Sequence, residues 1–236
     1  MDAVIHRAGE RGRADHGWLQ ARYSFSFADW HAPARMHFGR LRVLNDDVIA
    51  PAGGFDTHAH DNMEIVTVPL AGTLRHRDSM GHEQLLHAGE VQVMSAGSGL
   101  RHSEFNASHS EPVNLLQIWV LPKLRDVTPR YDQKAFDAEG RHNRLQTLVA
   151  PEDDGHALRI NQDAWFSRGD FDAGRSVDYR LHGEGNGVYV FVIDGEVSIA
   201  GETLSRRDAM GVWHTASLRL DFPADSQVLL IEVPMK

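Results

Sequence analysis

Thr57-His58-Ala59-His60 is followed about forty residues later by Arg101-His102-Ser103-Glu104. Each stretch carries two potential metal ligands separated by one residue. On a β-strand, residues i and i+2 project from the same face. Two such strands side by side would therefore bring three imidazoles and one carboxylate to one point. Nitrogen and oxygen ligands of this kind suit a divalent transition metal. The two stretches predict a metal site formed by His58, His60, His102 and Glu104.

The composition of the 236-residue chain is that of an ordinary globular protein, with 42% hydrophobic and 24% charged residues. No apolar run approaches the roughly 18 residues that cross a bilayer, so we expect no membrane span. The chain has no cysteine, which excludes disulfides, thiolate ligands and a catalytic thiol. These features fit a cytoplasmic protein.

The formal net charge is −9, from 33 acidic residues against 24 lysines and arginines. The basic residues are scattered along the chain and form no stripe, so direct binding of nucleic acid is disfavoured. The chain has 15 histidines. This number supports metal binding only through spacing, and we expect the remaining histidines near the motif to be solvated, namely His76, His82, His87 and His109.

From Phe55 onward, short β-branched segments alternate with glycine-containing turns. This spacing is typical of a β-sandwich or barrel. The strongest predicted strands are Met63–Val68, Thr73–His76, Val91–Met94 and Leu115–Leu121.

Other segments give weaker predictions. Tyr23–Phe27 alternates aromatic and small residues, which predicts a strand with its aromatic rings inward. Leu41–Leu44 predicts a short strand that ends before the polar run Asn45-Asp46-Asp47. The segment Tyr131–Ala138 could form a short helix, and Asp153-Asp154-Gly155 predicts a turn.

The second half of the chain repeats the first. Val188–Val197 resembles Ile65–Leu74, with Gly195 in the place of Gly72. A polar segment over residues 123–143 separates the halves. We therefore predict an N-terminal metal-binding domain over residues 1–135 and a C-terminal domain over residues 136–236, packed face to face.

The same alignment predicts that the second domain has lost the metal. It places Leu181 and Gly183 where His58 and His60 stand, and Asp221 and Pro223 opposite His102 and Glu104.

Glu64 is an alternative carboxylate ligand, because it shares the parity of His58 and His60. On a straight strand it would lie about 13 Å beyond His60, but a bend at Asp61-Asn62 would bring it closer. Spacing alone leaves both carboxylates open. We favour Glu104, because its spacing from His102 needs no extra bend.

Two other residues near the ligands have two interpretations each. Asn106 either orients a ligand or caps a turn. Phe55 belongs either to the core or to the wall of a pocket above the metal.

These motifs resemble those of the cupin superfamily, and within it those of the pirin family. His58-x-His60 is followed after three residues by Glu64 and after seven more by Gly72. The second motif is His102-Ser103-Glu104 after a Ser-Ala-Gly-x-Gly loop. The sequence departs from the general cupin pattern at Ser95, which replaces a proline, and in the displaced first glycine. Three further stretches are similar to bacterial pirin-like proteins, namely residues 16–18, 24–28 and 128–131.

The resemblance implies an all-β bicupin fold of two stacked antiparallel β-barrels with few short helices. It implies that the ligands are His58, His60, His102 and Glu104, that Glu64 does not ligate, and that the metal is Fe(II). The ligand chemistry also admits Cu, Ni, Mn, Co or Zn.

The activity that the resemblance implies is that of a quercetin 2,3-dioxygenase. Such an enzyme cleaves a flavonol with dioxygen and releases carbon monoxide, and Glu104 would take the proton of the flavonol hydroxyl. The alternative is a non-enzymatic metal or redox sensor that binds a protein partner, as other pirins do. A third hypothesis is a storage or structural barrel. We expect a monomer in each case.

Overall fold

The computed structural model describes residues 1–152 and 155–236, and these residues are mostly β-strand. The predicted turn at Asp153-Asp154-Gly155 falls largely outside the described residues. Two short 3-10 helices occur, Ala8–Glu10 and Ala138–Arg141. Among the described residues, no helix reaches the length and apolarity that crossing a lipid bilayer requires.

The strands, numbered in chain order, divide between two barrels. The first barrel contains β2 (Gly12–Asp15), β3 (Leu19–Tyr23), β4 (Leu41–Ile49), β5 (Gly54–His60), β6 (Glu64–Ala71), β7 (Thr73–Asp78), β8 (Glu83–His87), β9 (Glu90–Ser95), β10 (Leu100–Asn106), β11 (Val113–Val120) and β12 (Arg130–Ala135). The second contains β1 (Asp2–His6), β13 (Gln146–Ala150), β14 (Leu158–Arg159), β15 (Trp165–Phe171), β16 (Arg175–Arg180), β17 (Asn186–Asp194), β18 (Glu196–Ile199), β19 (Glu202–Ser205), β20 (Ala209–Trp213), β21 (Ser217–Phe222) and β22 (Ser226–Pro234).

Each barrel consists of a seven-stranded and a four-stranded sheet with matching topology. The first has the orders β12-β9-β6-β11-β4-β3-β2 and β5-β10-β7-β8. The second has β1-β20-β17-β22-β15-β13-β14 and β16-β21-β18-β19. Neighbouring strands are antiparallel except β13 and β14, which are parallel. The predicted all-β bicupin fold is confirmed.

The internal repeat is visible at two equivalent turns. Gly72 joins β6 to β7 with φ +78°, and Gly195 joins β17 to β18 with φ +79°. Only glycine adopts this left-handed conformation without a steric penalty. A Cβ at Gly195 would also stand 2.1 Å from the carbonyl oxygen of Asp225. The repeated glycine therefore has a structural reason in both halves.

The two seven-stranded sheets pack against each other, so the halves do lie face to face. Their shared core includes Val66 and Ile118 from the first barrel and Tyr189, Phe191 and Ile231 from the second, all fully buried. Separate apolar clusters fill the inside of each barrel. Consequently the four-stranded sheets lie on the outer sides, and β5 and β10, which carry the predicted ligands, are away from the interface between the barrels.

The chain begins in the second barrel. Strand β1 pairs with β20, with Ile5 opposite Met210, before the chain crosses to the first barrel. At the other end, β12 closes the first barrel at Ala135 and β13 opens the second at Gln146. The domain boundary at residue 135 stays a prediction. The first strand, Asp2–His6, belongs to the seven-stranded sheet of the second barrel.

Three local predictions were wrong. Residues 130–135 form strand β12, not a helix, because they pair with the otherwise open edge of β9. The strand predicted at Tyr23–Phe27 ends at Tyr23, so Phe25 packs between the barrels while Phe27 faces the first barrel. The strand predicted at Leu41–Leu44 continues to Ile49, because its polar residues are paired on both sides by β3 and β11.

Candidate metal centre

Three of the predicted ligands converge where β5 pairs with β10. His102 stands opposite His58, and His60 lies one pleat along on the same face. One side-chain nitrogen from each histidine lies within 4.8 Å of the other two. Nitrogen donors around one ion, with bonds of about 2.0–2.1 Å, lie about 3 Å apart, so small side-chain rotations suffice to hold a metal.

The electrostatics of the cluster favour a bound cation. Burial, with a smaller contribution from His58 and His60, lowers the pKa of His102 to about 2. Burial and then His58 lower the pKa of His60 to about 4. Both rings are therefore neutral at pH 7 and offer lone pairs. Neither nitrogen of the buried His102 has a hydrogen-bond partner in residues 1–152 or 155–236, which is the state expected of a ligand.

His58 is held in one orientation by the backbone. Its Nδ1 lies 2.8 Å from the carbonyl oxygen of Asp56, which can only accept a hydrogen bond. The proton is therefore on Nδ1, and Nε2 keeps its lone pair for a metal. Hydrogen bonds of this kind fix the ring of a ligating histidine and its tautomer.

A β-bulge in β5 lies opposite the step from His102 to Glu104. The register of β5 and β10 shifts after His102, so that Glu104 stands opposite Phe55 and the intervening residues of β5 bulge out. A bulge redirects the neighbouring side chain and is frequent beside active sites. Within the described residues the close cluster holds the three histidines. Glu104 lines the same cavity, and its ligation remains a prediction.

The carboxyl group of Glu104 is buried and poorly compensated. Its Oε2 accepts a hydrogen bond of 3.0 Å from Gln117 Nε2, and Thr67 Oγ1 in turn donates to Gln117 Oε1 at 3.0 Å. Oε1 has no partner in the described part of the chain. Burial raises the pKa of Glu104 to about 7, and the bond from Gln117 opposes this shift. A free, buried acceptor beside three imidazoles is suited to a cation.

A cavity of about 390 Å³ opens over His58, His60 and Glu104. Its volume lies within the range of about 300 to 1,000 Å³ that is typical of small-molecule sites. Trp119 packs edge-on against His60, with 5.0 Å between ring centroids, and Phe55 packs edge-on against Trp18 at the same distance. The aromatic side chains that line the cavity are Trp18, Tyr23, Phe27, Phe55 and Trp119.

Sequence reasoning missed a second carboxyl group in this cavity. Asp47 lines it from β4, is 4% exposed, and its Oδ1 has no hydrogen-bond partner among the described residues. Burial, then the charges of Asp46 and Glu104, raise the pKa of Asp47 to about 8. The signal was the polar run Asn45-Asp46-Asp47 between apolar residues, which we interpreted as the end of a strand.

The prediction that His76 is solvated was wrong. Strand β7 places His76 opposite Glu104 on the inner face of the barrel, where it is fully buried. Its ring lies 5.3 Å from that of His102 and stacks on Tyr131 at 4.7 Å. The sequence did contain a signal for this burial: His76 is two residues after the apolar Leu74, so both side chains point to the same face of the strand. His82 is half-buried and bonded to Asp78, whereas His87 and His109 are exposed.

The three other residues predicted near the metal, Phe55, Glu64 and Asn106, lie in different environments. Phe55 lines the cavity. The fully buried Glu64 accepts hydrogen bonds from Ser95 Oγ at 2.7 Å and from the backbone nitrogen of Asn161 at 3.0 Å, and it is not part of the cavity wall. Asn106 donates to the carbonyl oxygens of Ile49, Ala50 and Glu111, so its side chain fastens loops.

The equivalent place in the second barrel is filled by core residues. Leu218 stands opposite Tyr179, as His102 stands opposite His58, and Asp221 pairs with Ser198. The counterparts of the four predicted ligands are therefore Tyr179, Leu181, Leu218 and Leu220.

All four counterpart positions predicted from sequence were wrong, because the segments between the alignment landmarks and the ligand-bearing strands differ in length between the two halves. The absence of a metal from the second barrel stays a prediction. The counterpart side chains belong to an apolar cluster, and the described residues of this barrel contain no group of three metal-binding side chains.

The fold and the three-histidine cluster define this molecule as a bicupin with one site suited to a divalent metal. The sequence matches the family description "Pirin" over residues 5–120 and "Quercetinase C-terminal cupin domain" over residues 147–233. The chain belongs to the pirin family.

Relatives with similar sequences and structures cover almost the whole chain. A protein of Escherichia coli K12 named quercetin 2,3-dioxygenase is 40% identical over 231 residues, covering 98% of each chain. A pirin-like protein of Caulobacter vibrioides is 39% identical over 222 residues, covering 94% of this chain and 95% of its own. The crystal structure of the bacterial pirin YhhW from Escherichia coli in complex with nickel(II) covers 99% of each chain, with 38% identity and a TM-score of 0.93.

Proposed function

We propose that this protein is a metal-dependent dioxygenase of the quercetinase type, which cleaves a flavonol such as quercetin with dioxygen and releases carbon monoxide. The observation that supports this most directly is the aromatic-walled cavity over three converging histidines. A structural or storage site would not need an accessible cavity of substrate size. The name of the Escherichia coli relative agrees with this activity.

We assign the metal to His58, His60, His102 and Glu104, and propose that it is iron. The nickel in the YhhW complex belongs to that protein, and the same ligand types also accept Cu, Mn, Co or Zn. A bound divalent iron would supply positive charge beside the flavonol oxygen and a redox centre for dioxygen.

The cavity residues would bind and orient the substrate. A flavonol is a flat, mostly apolar ring system, which suits a slot between Trp119, Phe27 and Phe55. Asp47, with its pKa of about 8, is mostly protonated at pH 7 and would donate a hydrogen bond to a flavonol oxygen.

Glu104 would act as the base. It lies in the cavity wall, and Gln117 leaves one of its carboxylate oxygens free. In its ionised form it would take the proton of the flavonol hydroxyl. Exclusion of water by the aromatic walls would protect the resulting anion until it reacts with dioxygen.

The decisive experiment is anaerobic reconstitution with Fe(II), followed by quercetin and air, with flavonol absorbance and carbon monoxide recorded together. We expect loss of absorbance with stoichiometric carbon monoxide. Glu104→Gln should abolish both signals, whereas Glu111→Gln, at an exposed position, should retain them. Stable quercetin over fully iron-loaded protein would overturn the proposal for this substrate.

A redox sensor that binds a protein partner is the second candidate, and one observation favours it. Tyr131 stacks between buried His76 and half-buried His82, at 4.7 and 4.9 Å, so a series of rings joins His102 to the surface. A sensor would load iron yet leave quercetin intact. His58→Ala with retained fold and lost metal, compared with His87→Ala, would exclude accidental binding elsewhere. The monomeric state and the cytoplasmic location stay predictions.

A further inference from the structure

A second cleft, of about 400 Å³, lies at the junction of the two barrels on the opposite side of strand β4 from the aromatic cavity. Successive residues of a strand point to opposite faces, so Asp47 lines the cavity while Asp46 lines this cleft. Both barrels contribute side chains. The polar ones are Arg11, Arg22, Asp46 and Asn114 from the first and Arg206 and Arg207 from the second.

The cleft carries an excess of positive charge. Asp46 is its single carboxylate and is already engaged: Oδ2 lies 3.2 Å from Arg207 Nε and 3.5 Å from Arg11 Nη2. Its Oδ1 accepts a hydrogen bond from Asn114 Nδ2 at 2.8 Å. One carboxylate cannot neutralise the guanidinium groups that surround it.

The two other arginines of the cleft add to this excess of positive charge. Arg206 pairs at 3.3 Å with Asp194, in an exposed ion pair that is worth little. Arg22 makes a hydrogen bond to the carbonyl oxygen of Ala21 and pairs with no carboxylate in the parts of the chain that the structure describes. Even with Asp194 counted, two positive charges of the cleft remain unbalanced.

The floor of the cleft contains a buried cation with unused donors. Arg11 is 5% exposed and lies over the ring of Phe191, 5.3 Å from its centroid. Its Nε and Nη1 find no hydrogen-bond partner in the described residues, nor does Nη1 of Arg207. Leaving the N–H groups of a buried cation unpaired is costly, and an acceptor group of opposite charge removes that cost. Burial accordingly lowers the pKa of Arg11, with Asp46 opposing the shift.

We propose that this cleft binds a small, multiply charged oxyanion of the phosphate class, either inorganic phosphate or the phosphate group of a small metabolite. The planar fork of each guanidinium matches the oxygens of a phosphate in paired hydrogen bonds. Arg22, Arg206 and Arg207 hold the anion at the mouth, and Arg11 adds charge from the floor. The volume exceeds that of a bare phosphate and leaves room for an organic part.

A nucleic acid fits this surface less well. The chain has a formal net charge of −9, and the arginines line a concave cleft between two barrels. A polyanion needs an extended basic track along which it can release counterions. The cleft is independent of the proposed dioxygenase activity, because none of its side chains lines the aromatic cavity.

The test is calorimetric titration of the metal-loaded protein with sodium phosphate, against sodium chloride at matched ionic strength. We expect saturable binding of one phosphate per chain. The double substitution Arg22→Gln and Arg206→Gln should weaken it at least about tenfold, since it removes two of the three guanidinium groups that hold the anion at the mouth. Neither residue pairs with Asp46, so the fold should survive. Arg219→Gln, an exposed arginine paired with Asp221 on the second barrel, is the control and should bind normally.

Further titrations identify the class of ligand and the site at which it binds. Glycerol phosphate that binds about tenfold more tightly than inorganic phosphate would assign the site to a metabolite, and equal or weaker binding would assign it to free phosphate. Phosphate binding that survives the double substitution but is lost in His58→Ala would place the anion at the metal and overturn the proposal. Binding no stronger than that of chloride, or a short single-stranded DNA that outcompetes both phosphates, would also overturn it.

Discussion

At the scale of single residues, the site depends on polar groups that are buried without full compensation. His102 has two free nitrogens, and Glu104 and Asp47 each have a free oxygen, within the described residues. Such groups destabilise a fold unless a ligand satisfies them. Their concentration around one cavity is therefore a sign of function, and the resulting pKa shifts lead to two predictions.

The first concerns whether Glu104 is a ligand. With a pKa of about 7, it is half protonated at pH 7 in metal-free protein, and a ligating carboxylate must lose that proton. We expect Zn²⁺ binding to release about half a proton more from the wild type than from Glu104→Gln at pH 7, and nearly one proton more at pH 6. Calorimetry in buffers of different ionisation enthalpy measures this release.

Glu111→Gln, at an exposed position, should release as many protons as the wild type. Equal proton release by Glu104→Gln and the wild type would remove Glu104 from the ligand set.

The second concerns Asp47 and pH. Its pKa is raised from 3.8 to about 8 in the folded protein, so folding favours the protonated form. The stability that this group contributes is complete below about pH 4 and is lost as pH rises toward 8, at up to about 1.4 kcal/mol per pH unit. Asp47→Asn should therefore gain stability relative to the wild type between pH 5.5 and 7.5.

Urea unfolding of metal-free protein at the two pH values measures this difference. Comparison with the wild type cancels the contributions of the buried His60 and His102. Asp178→Asn, at an exposed position of β16, should follow the wild-type curve. An unchanged difference between Asp47→Asn and the wild type across this range would contradict the assignment.

At the scale of elements, turns and a bulge position the side chains. The bulge in β5 shifts the register so that Glu104 lies opposite Phe55, and left-handed glycines close the turns between neighbouring strands of the barrel. The pairing of β12 with β9 brings Tyr131 over His76. The register of the strands therefore assembles the site. A substitution that disturbs one of the turns should lower the free energy of unfolding.

Two glycines of the second barrel separate conformational strain from steric clash. Gly195 and Gly201 both have positive φ, at +79° and +86°, but an added Cβ would meet the Asp225 oxygen at 2.1 Å only at Gly195. We expect Gly201→Ala to cost about 1 kcal/mol, and Gly195→Ala at least about 1 kcal/mol more. Equilibrium urea unfolding checks this, and equal losses would show that the turn relaxes around the methyl group.

At the scale of the whole molecule, one repeated strand topology occurs in two barrels with different interiors. The seven-stranded sheets join through a buried apolar core, in which each large side chain contributes about 1.5–3 kcal/mol. The first barrel keeps a polar, accessible interior, whereas the second fills the equivalent place with Tyr179, Leu218 and Leu220. The junction of the second barrel with the first forms the arginine cleft.

The sequence by itself determined the fold class, the face-to-face repeat and the three histidines, because period-two spacing on a strand is a local property. It also indicated that the second half lacks the ligands. The spacing of the metal ligands and the positions of the turn glycines can be recognised without knowledge of distant contacts, so these predictions needed no tertiary information.

Only the tertiary structure decided which groups share an environment. It showed the bulge before Glu104, the burial of Asp47 and His76, the strand at Tyr131, and the crossing of β1 into the other barrel. Each of these depends on pairing or burial between residues far apart in the chain, which local periodicity does not encode. The pKa shifts and the unbalanced charge of the arginine cleft follow from that burial, because desolvation is a property of the assembled molecule.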